Sequence, residues 1–273
     1  PPRSTLFPYT TLFRSEDLLA RPQMAPGLIN ATMDRLHYAS TMAALDGGYH
    51  VLVEKPLAED PVSCVRLVRR ARQRRRILQV GLTLRYAPFF TALKRSLEEG
   101  RVGQLLHIDH CEQVAYWHMA HSFVRGNWGR SADSAPMILA KCSHDMDYLN
   151  WVVDAPPVRV ASFGMLSHFK ADRVGPDIPA RCTDGCPIER DCPYSSLRTY
   201  LGEGLGWLVA AAKLSDDMDK RREELTRSPY GRCVYRCDND VVDHQTVAIE
   251  FAGAVTVSLT MQEIGRASCR ERV

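Results

Sequence analysis

Three short apolar runs, each alternating with a stretch of helical character, constrain the fold of this chain more than any other feature. Leu28–Ala31, Tyr49–Glu54 and Ile77–Thr83 read as strands of continuous apolar character. Strands of that kind are buried on both faces, as in a parallel sheet covered by helices. Asp34 is placed to cap a helix that runs to about Leu45 and stops at Gly47-Gly48. Asp60, with Pro61 at the first helical position, opens a second helix that reaches about Arg75. Phe89–Glu99 reads as a third, stopped by Gly100. The alternation implies βαβ units and a parallel sheet.

After Gly103 the pattern changes. Leu105–Val114 reads as a longer strand, and a polar, aromatic segment follows over 115–134. Residues 136–153 read as one helix, with Ile138, Cys142, Met146, Leu149 and Val153 at helical spacing. Val158–Phe163 is a strand, 167–230 is irregular, and Thr246–Phe251 with Val255–Met261 forms a hairpin around Ala252-Gly253. The expected architecture is α/β followed by α+β: a parallel sheet over 16–103, then a domain over 104–263 with an open, mostly antiparallel sheet.

The ends read differently from the middle. Thr5–Ser15, TLFPYTTLFRS, back-translates to an oligonucleotide whose reverse complement encodes IGRASCRERV, the last residues Ile264–Val273. Both tails, 1–15 and 264–273, are expected to derive from a sequencing-library adapter and are set aside from fold reasoning. The formal charge is +3; the tails carry +2 each, which leaves −1 for 16–263. A nucleic-acid partner loses its support with that charge. The basic run Arg66–Arg76 falls on a predicted helix and reads as a solvated face. No apolar run approaches membrane-spanning length.

Lys55 stands at the end of an apolar strand, between Glu54 and Pro56. Ligands of open parallel sheets bind outside the carboxyl ends of the strands. The lysine either touches such a ligand or is a solvated turn residue, and spacing alone leaves both open.

The run Ala31–His37, the stretch Gly47–Ala58 with its Glu-Lys-Pro motif, Val80–Pro88, and His144-Asp-Met-Asp147 together resemble the Gfo/Idh/MocA family of NAD(P)-dependent oxidoreductases. The resemblance covers nearly all of 16–263. It implies a partial Rossmann-type domain followed by an α+β substrate domain. It also implies hydride transfer between NAD or NADP and a sugar, cyclitol or related secondary alcohol. By position, Lys55 binds the reacting hydroxyl beside the nicotinamide, and desolvation there lowers a lysine pKa toward neutrality. His144 is its partner in proton transfer, and Asp147 an orienting group. Thr32, Asp34, His37, Glu54, Pro56 and Arg85 line the cofactor side. Tyr86, Trp128, Lys141 and Asp145 fall to the substrate. The resemblance further implies a cytoplasmic enzyme that forms a homo-oligomer through the sheet of its second domain.

This chain departs from the family in two ways. The position four residues before His144, where many members carry aspartate, is Ala140. Lys141 or Asp145 substitutes for it, or the chemistry differs. The Gly-rich pyrophosphate loop and the acidic residue that reads the ribose are expected upstream of Glu16, so the cofactor site is incomplete and this chain is expected to bind nicotinamide cofactors poorly. Two rivals remain: a relative that uses transient hydride transfer to cleave glycosidic bonds, and a non-catalytic sugar- or metal-binding relative.

Of nine cysteines, Cys182, Cys186 and Cys192 form one cluster and Cys233 and Cys237 a second. Cys182, Cys186, Cys192 and Cys233 are candidate ligands of a structural zinc. The alternative is reduced thiols packed in a loop-rich cover. His37 either serves the cofactor or packs against its helix. Trp117, His118, His121, Asn127 and Trp128 suit sugar binding or a half-buried loop. Asp240, Asp243 and His244 either bind hydroxyls or cap a turn.

Overall fold

The computed structural model describes residues 15–202 and 206–262, so the two tails, Ser15 apart, lie outside it. The chain divides into two compact units, Pro1–Leu82 and Thr83–Val273.

The first unit runs α1 (Ser15–Leu19), β1 (Gly27–Asn30), α2 (His37–Asp46), β2 (His50–Val53), α3 (Pro61–Arg74) and β3 (Leu78–Val80). Its sheet is parallel in the order β1-β2-β3, with Leu28 opposite Val51 and Val53 opposite Val80. Val51 and Val53 of β2 meet Ala44 and Leu45 of α2 and Leu67 and Ala71 of α3 in one core. Both helices therefore cover the same face. Ile29 and Leu52 on the other face are 73% and 39% exposed, against the expectation of strands buried on both sides. Asp60 caps α3 as expected, its carboxylate accepting the Ser63 N–H at 2.9 Å, with Pro61 in the first turn. Asp34 does not cap α2. It begins a 3₁₀ turn, Asp34–Leu36, and α2 opens at His37 behind Leu36.

The second unit contains α4 (Pro88–Glu98), β4 (His107–Gln113), α5 (Tyr116–His118), a π-helix (Met119–Arg125), α6 (Met137–Ala140), α7 (Ser143–Val153), β5 (Pro157–Met165), α8 (Ser196–Leu201), α9 (Gly206–Ala211), α10 (Met218–Leu225), β6 (His244–Phe251) and β7 (Thr256–Gln262). Its sheet order is β4-β7-β6-β5, with β4 parallel to β7 and the other pairs antiparallel. Tyr148, Leu149 and Val152 of α7 pack on Val247, Ile249, Val257 and Leu259. The opposite face is open: every residue of β5 is exposed, Phe163 by 79%.

The units divide at Leu82 rather than at the expected 103, because Leu84, Phe90 and Leu97 lay their side chains on the second core. The expected single helix over 136–153 is broken at Lys141-Cys142, between α6 and α7. The segment read as irregular holds α8, α9 and α10 around its own small core of Tyr200, Leu208, Val209, Leu225 and Tyr230.

Candidate active site

The three strands of the first unit end side by side, at Asn30, Val53 and Val80. The loops that leave these ends carry Thr32, Lys55 and Gly81. Their backbones are tied across the edge: Glu54 N–H donates to the Asn30 carbonyl at 2.9 Å and Gly81 N–H to the Val53 carbonyl at 2.8 Å. The Asn30 side chain secures the first loop. Its amide donates to Ser40 Oγ at 2.8 Å and Thr41 Oγ1 at 2.9 Å, while its carbonyl accepts the Thr32 hydroxyl at 2.8 Å. A Cβ on Gly81 would meet the Glu54 carboxylate at 3.4 Å, so that carboxylate lies over the end of β3. Lys55 is half-buried on this edge, and its peptide bond to Pro56 is cis.

His37 has no exposed surface. Its Nδ1 lies 2.6 Å from the Pro56 carbonyl and its Nε2 2.9 Å from the Thr32 carbonyl. The ring therefore clamps the loop after β1 to the loop that carries Lys55. It serves the packing reading of the sequence rather than direct cofactor contact. Asp34 is also buried. Asn30 went unnoticed in the sequence, though a polar residue closing an apolar strand was the available signal.

In the second unit, Arg85 and Asp147 form a two-point ion pair, Nε–Oδ2 2.7 Å and Nη2–Oδ1 2.5 Å. Arg85, expected on the cofactor side, thus spends its fork on a carboxylate of α7. Its guanidinium also lies 5.7 Å from the Trp151 ring. Tyr86 is 73% exposed. His144 is half-buried in the first turn of α7.

Beside it lies a buried ionic cluster. Lys141 Nζ donates to Glu112 Oε1 at 2.8 Å, and His110 Nε2 lies 3.0 Å from Asp145 Oδ1. Glu112, Lys141 and Asp145 are 4%, 8% and 1% exposed, so these charged groups are withdrawn from water. The donor atoms of His110, Glu112 and Asp145 lie within 4.8 Å of one another. Lys141 and Asp145, expected at the substrate, are committed to this cluster. Glu112 and His110 escaped notice, although they alternate with Ile108 on the core-facing side of β4.

Trp128 packs half-buried against the core of Met119, Phe123 and Val124. His121 is buried between Tyr200 and Tyr230, its Nδ1 2.8 Å from the Tyr200 hydroxyl oxygen, and burial with the nearby Arg125 lowers its pKa to about 4. Asp243 is fully buried. It accepts N–H bonds from Ser167 at 2.9 Å and His168 at 2.6 Å and pairs with His244 at 2.8 Å. Burial pushes its pKa up, but these hydrogen bonds outweigh that and leave it lowered. It caps a turn and also accepts the Ser167 hydroxyl at 3.2 Å, so its carboxylate is committed within the protein. Asp240 does the same for Ser131, at 2.6 Å from its N–H. Cys182, Cys186, Cys192 and Cys233 line one small cavity, all as free thiols. No helix among the described residues is long and apolar enough to cross a membrane.

Comparison with known proteins fits this geometry. Residues 11–82 match the family model described as "Oxidoreductase family, NAD-binding Rossmann fold". The match falls within the first unit, which is similar to the Gfo/Idh/MocA oxidoreductase family. Along its length the chain is 23% identical to YteT of Bacillus subtilis over 243 residues, covering 86% of this chain and 54% of that protein. It is 28% identical to an inositol 2-dehydrogenase/D-chiro-inositol 3-dehydrogenase of Lactiplantibacillus plantarum over 170 residues, 60% of this chain and 45% of that one. The chain thus spans about half the length of the curated relatives it matches. Among solved structures, the WlbA dehydrogenase of Bordetella pertussis, in complex with NADH and UDP-GlcNAcA, superposes with a TM-score of 0.61. It is 16% identical and aligns over 93% of this chain and 57% of its own, a likeness of fold.

In open parallel sheets, ligands bind in the crevice outside the carboxyl ends of the strands. The edge seen here supplies a half-buried cation, Lys55, a hydroxyl, Thr32, and a backbone pinned by Asn30 and His37. Those groups fit the polar, reacting end of a nicotinamide cofactor. A G-x-G-x-x-G phosphate loop does not occur in the sequence.

Proposed function

We propose that this protein is an NAD(P)-dependent oxidoreductase acting on a secondary alcohol of a sugar, cyclitol or related polyol. The observation that carries the reading is Lys55. It stands at the carboxyl end of the central strand of a family Rossmann unit, on a loop held by the buried His37 clamp. Bound NAD or NADP supplies the hydride acceptor. Lys55 holds the reacting hydroxyl and takes its proton as the carbinol carbon gives up hydride; in reverse, the lysine returns that proton. Thr32 and Glu54 shape the polar wall around it. His144, in the first turn of α7, is a further candidate for proton handling. Asp147 keeps Arg85 in place beside α7, and the buried Glu112–Lys141 pair holds the first turn of that helix where Ala140 provides no carboxylate. The substrate class is supported by the inositol dehydrogenase relative and the sugar-nucleotide complex of the WlbA neighbour. A second copy of the chain docks on the open face of β5, β6 and β7.

The test is a hydride-transfer assay over a panel of cyclitols and sugars with NAD⁺ and NADP⁺. Lys55→Met is expected to lower kcat by about 10²–10⁴-fold. A Lys55→Met chain that turns over like the parent removes the lysine from the chemistry.

A further inference from the structure

Four of the nine cysteines meet at one place in the second unit, and the hydride reaction has no use for them. Cys182, Cys186, Cys192 and Cys233 line a single cavity walled by Ile178 and Tyr194. They arrive from two segments joined by an antiparallel bridge between Arg181 and Arg232, where Cys182 N–H donates to the Gly231 carbonyl at 3.0 Å and Cys233 N–H to the Ala180 carbonyl at 2.9 Å. Side chains alternate along such a pairing, so Cys182 and Cys233 share the face opposite the two arginines. The selection is specific. Cys64 belongs to the first unit, Cys111 is exposed, Cys142 sits in a separate core, and Cys237 turns its sulfur to the Cys233 carbonyl at 3.3 Å.

We propose that these four cysteines bind one zinc ion in a closed, structural site, with Arg125 as its charge-balancing neighbour. Four sulfur donors with no open position are the ligand set of structural zinc. The Arg125 guanidinium is 4% exposed and donates to the Arg232 carbonyl at 2.6 Å and the Tyr194 carbonyl at 2.7 Å. Its Nη2 lies 3.7 Å from Cys182 Sγ. Among the described residues it has no carboxylate partner. A buried cation without a counter-ion is costly, and a zinc tetrathiolate is doubly negative. An N–H of arginine aimed at a ligand sulfur is the outer-shell contact such sites use.

The four sulfurs line the cavity, but no three of them lie within 4.8 Å of one another, so ligation must draw them together, with the Cys186 turn moving inward. That turn is adaptable. Gly185 has φ +75° with open space around it, and Cys186 is only half-buried. What the ion secures is clear from the surroundings: the described residues from 166 to 243 form only short helices and no strand.

The experiment uses the whole chain, expressed in zinc-supplemented medium and purified without chelator. Metal content is read by plasma mass spectrometry and thiol accessibility by a colorimetric reagent. About one zinc per chain is expected, with four thiols shielded until a strong chelator is added. Cobalt in its place should give the intense visible bands of tetrahedral thiolate ligation. Cys237→Ser should retain the metal and Cys233→Ser lose it. The unsubstituted chain decides the matter without relying on variants that misfold. Zinc far below one per chain, thiols that react fully before chelation, disulfides among the four, or iron in the site would each overturn the proposal.

Discussion

The imidazole of His37 joins two loops that the chain separates: its Nδ1 lies 2.6 Å from the carbonyl of Pro56, nineteen positions along. Its Nε2 faces the carbonyl of Thr32 at 2.9 Å. Lys55 therefore owes its position to a residue with no exposed surface of its own.

Replacing His37 with Ala removes both contacts and leaves two carbonyls facing a cavity. A loss of about 2–4 kcal/mol in stability is expected, from the cavity and the abandoned acceptors. Urea unfolding of the variant measures it. Because the ring positions the lysine rather than touching substrate, kcat should fall more than KM rises in the hydride-transfer assay.

Acid sensitivity should come from His121. Its folded pKa, about 4, lies below the ordinary 6.5, so the unfolded chain binds the proton first as pH falls. Stability is therefore unaffected by this group above about pH 6.5 and declines as pH drops toward about 4, by up to about 3 kcal/mol. Unfolding midpoints across that window test it. A His121→Gln chain should show a flatter profile.

Asp243 should be a stability residue rather than a specificity residue. With the N–H groups of Ser167 and His168 pointed at a fully buried carboxylate, Asp243→Ala strands those donors. A loss of about 3 kcal/mol is expected, read by urea unfolding of the chain. The KM of whatever fraction remains folded should match that of the parent, since the carboxylate is committed to the Ser167–Phe169 turn.

These particulars also show what could be read before any coordinates. The three parallel strands, the Asp60-Pro61 cap and the position of Lys55 were legible because each depends on a few neighbouring residues, though the third strand ends at Val80, three residues before the expected Thr83. The antiparallel hairpin of β6 and β7 was legible for the same reason. The His37 clamp was not, since it exists only once β1 and β2 lie side by side. Nor was the parallel pairing of β4 with β7, which sets His107 beside Thr256 across 149 positions. Lys141 and Glu112, 29 positions apart, meet at a break in a helix whose apolar spacing reads as continuous. The π-helix over Met119–Arg125 is buried on every side, so its sequence carries no period. Cysteine spacing grouped Cys182, Cys186 and Cys192 and paired Cys233 with Cys237; that Cys233 shares a cavity with the first three depends on the Arg181–Arg232 bridge, which spacing does not reveal.

The central claim is that the strand edge around Lys55 receives the nicotinamide. Saturation-transfer NMR with NADH and this chain tests it most directly. The nicotinamide protons should take up more magnetisation than those of the adenine, and Lys55→Met should abolish that preference while the fold, checked by circular dichroism, is retained. Transfer led by the adenine, or a nicotinamide signal indifferent to Lys55, would contradict the account.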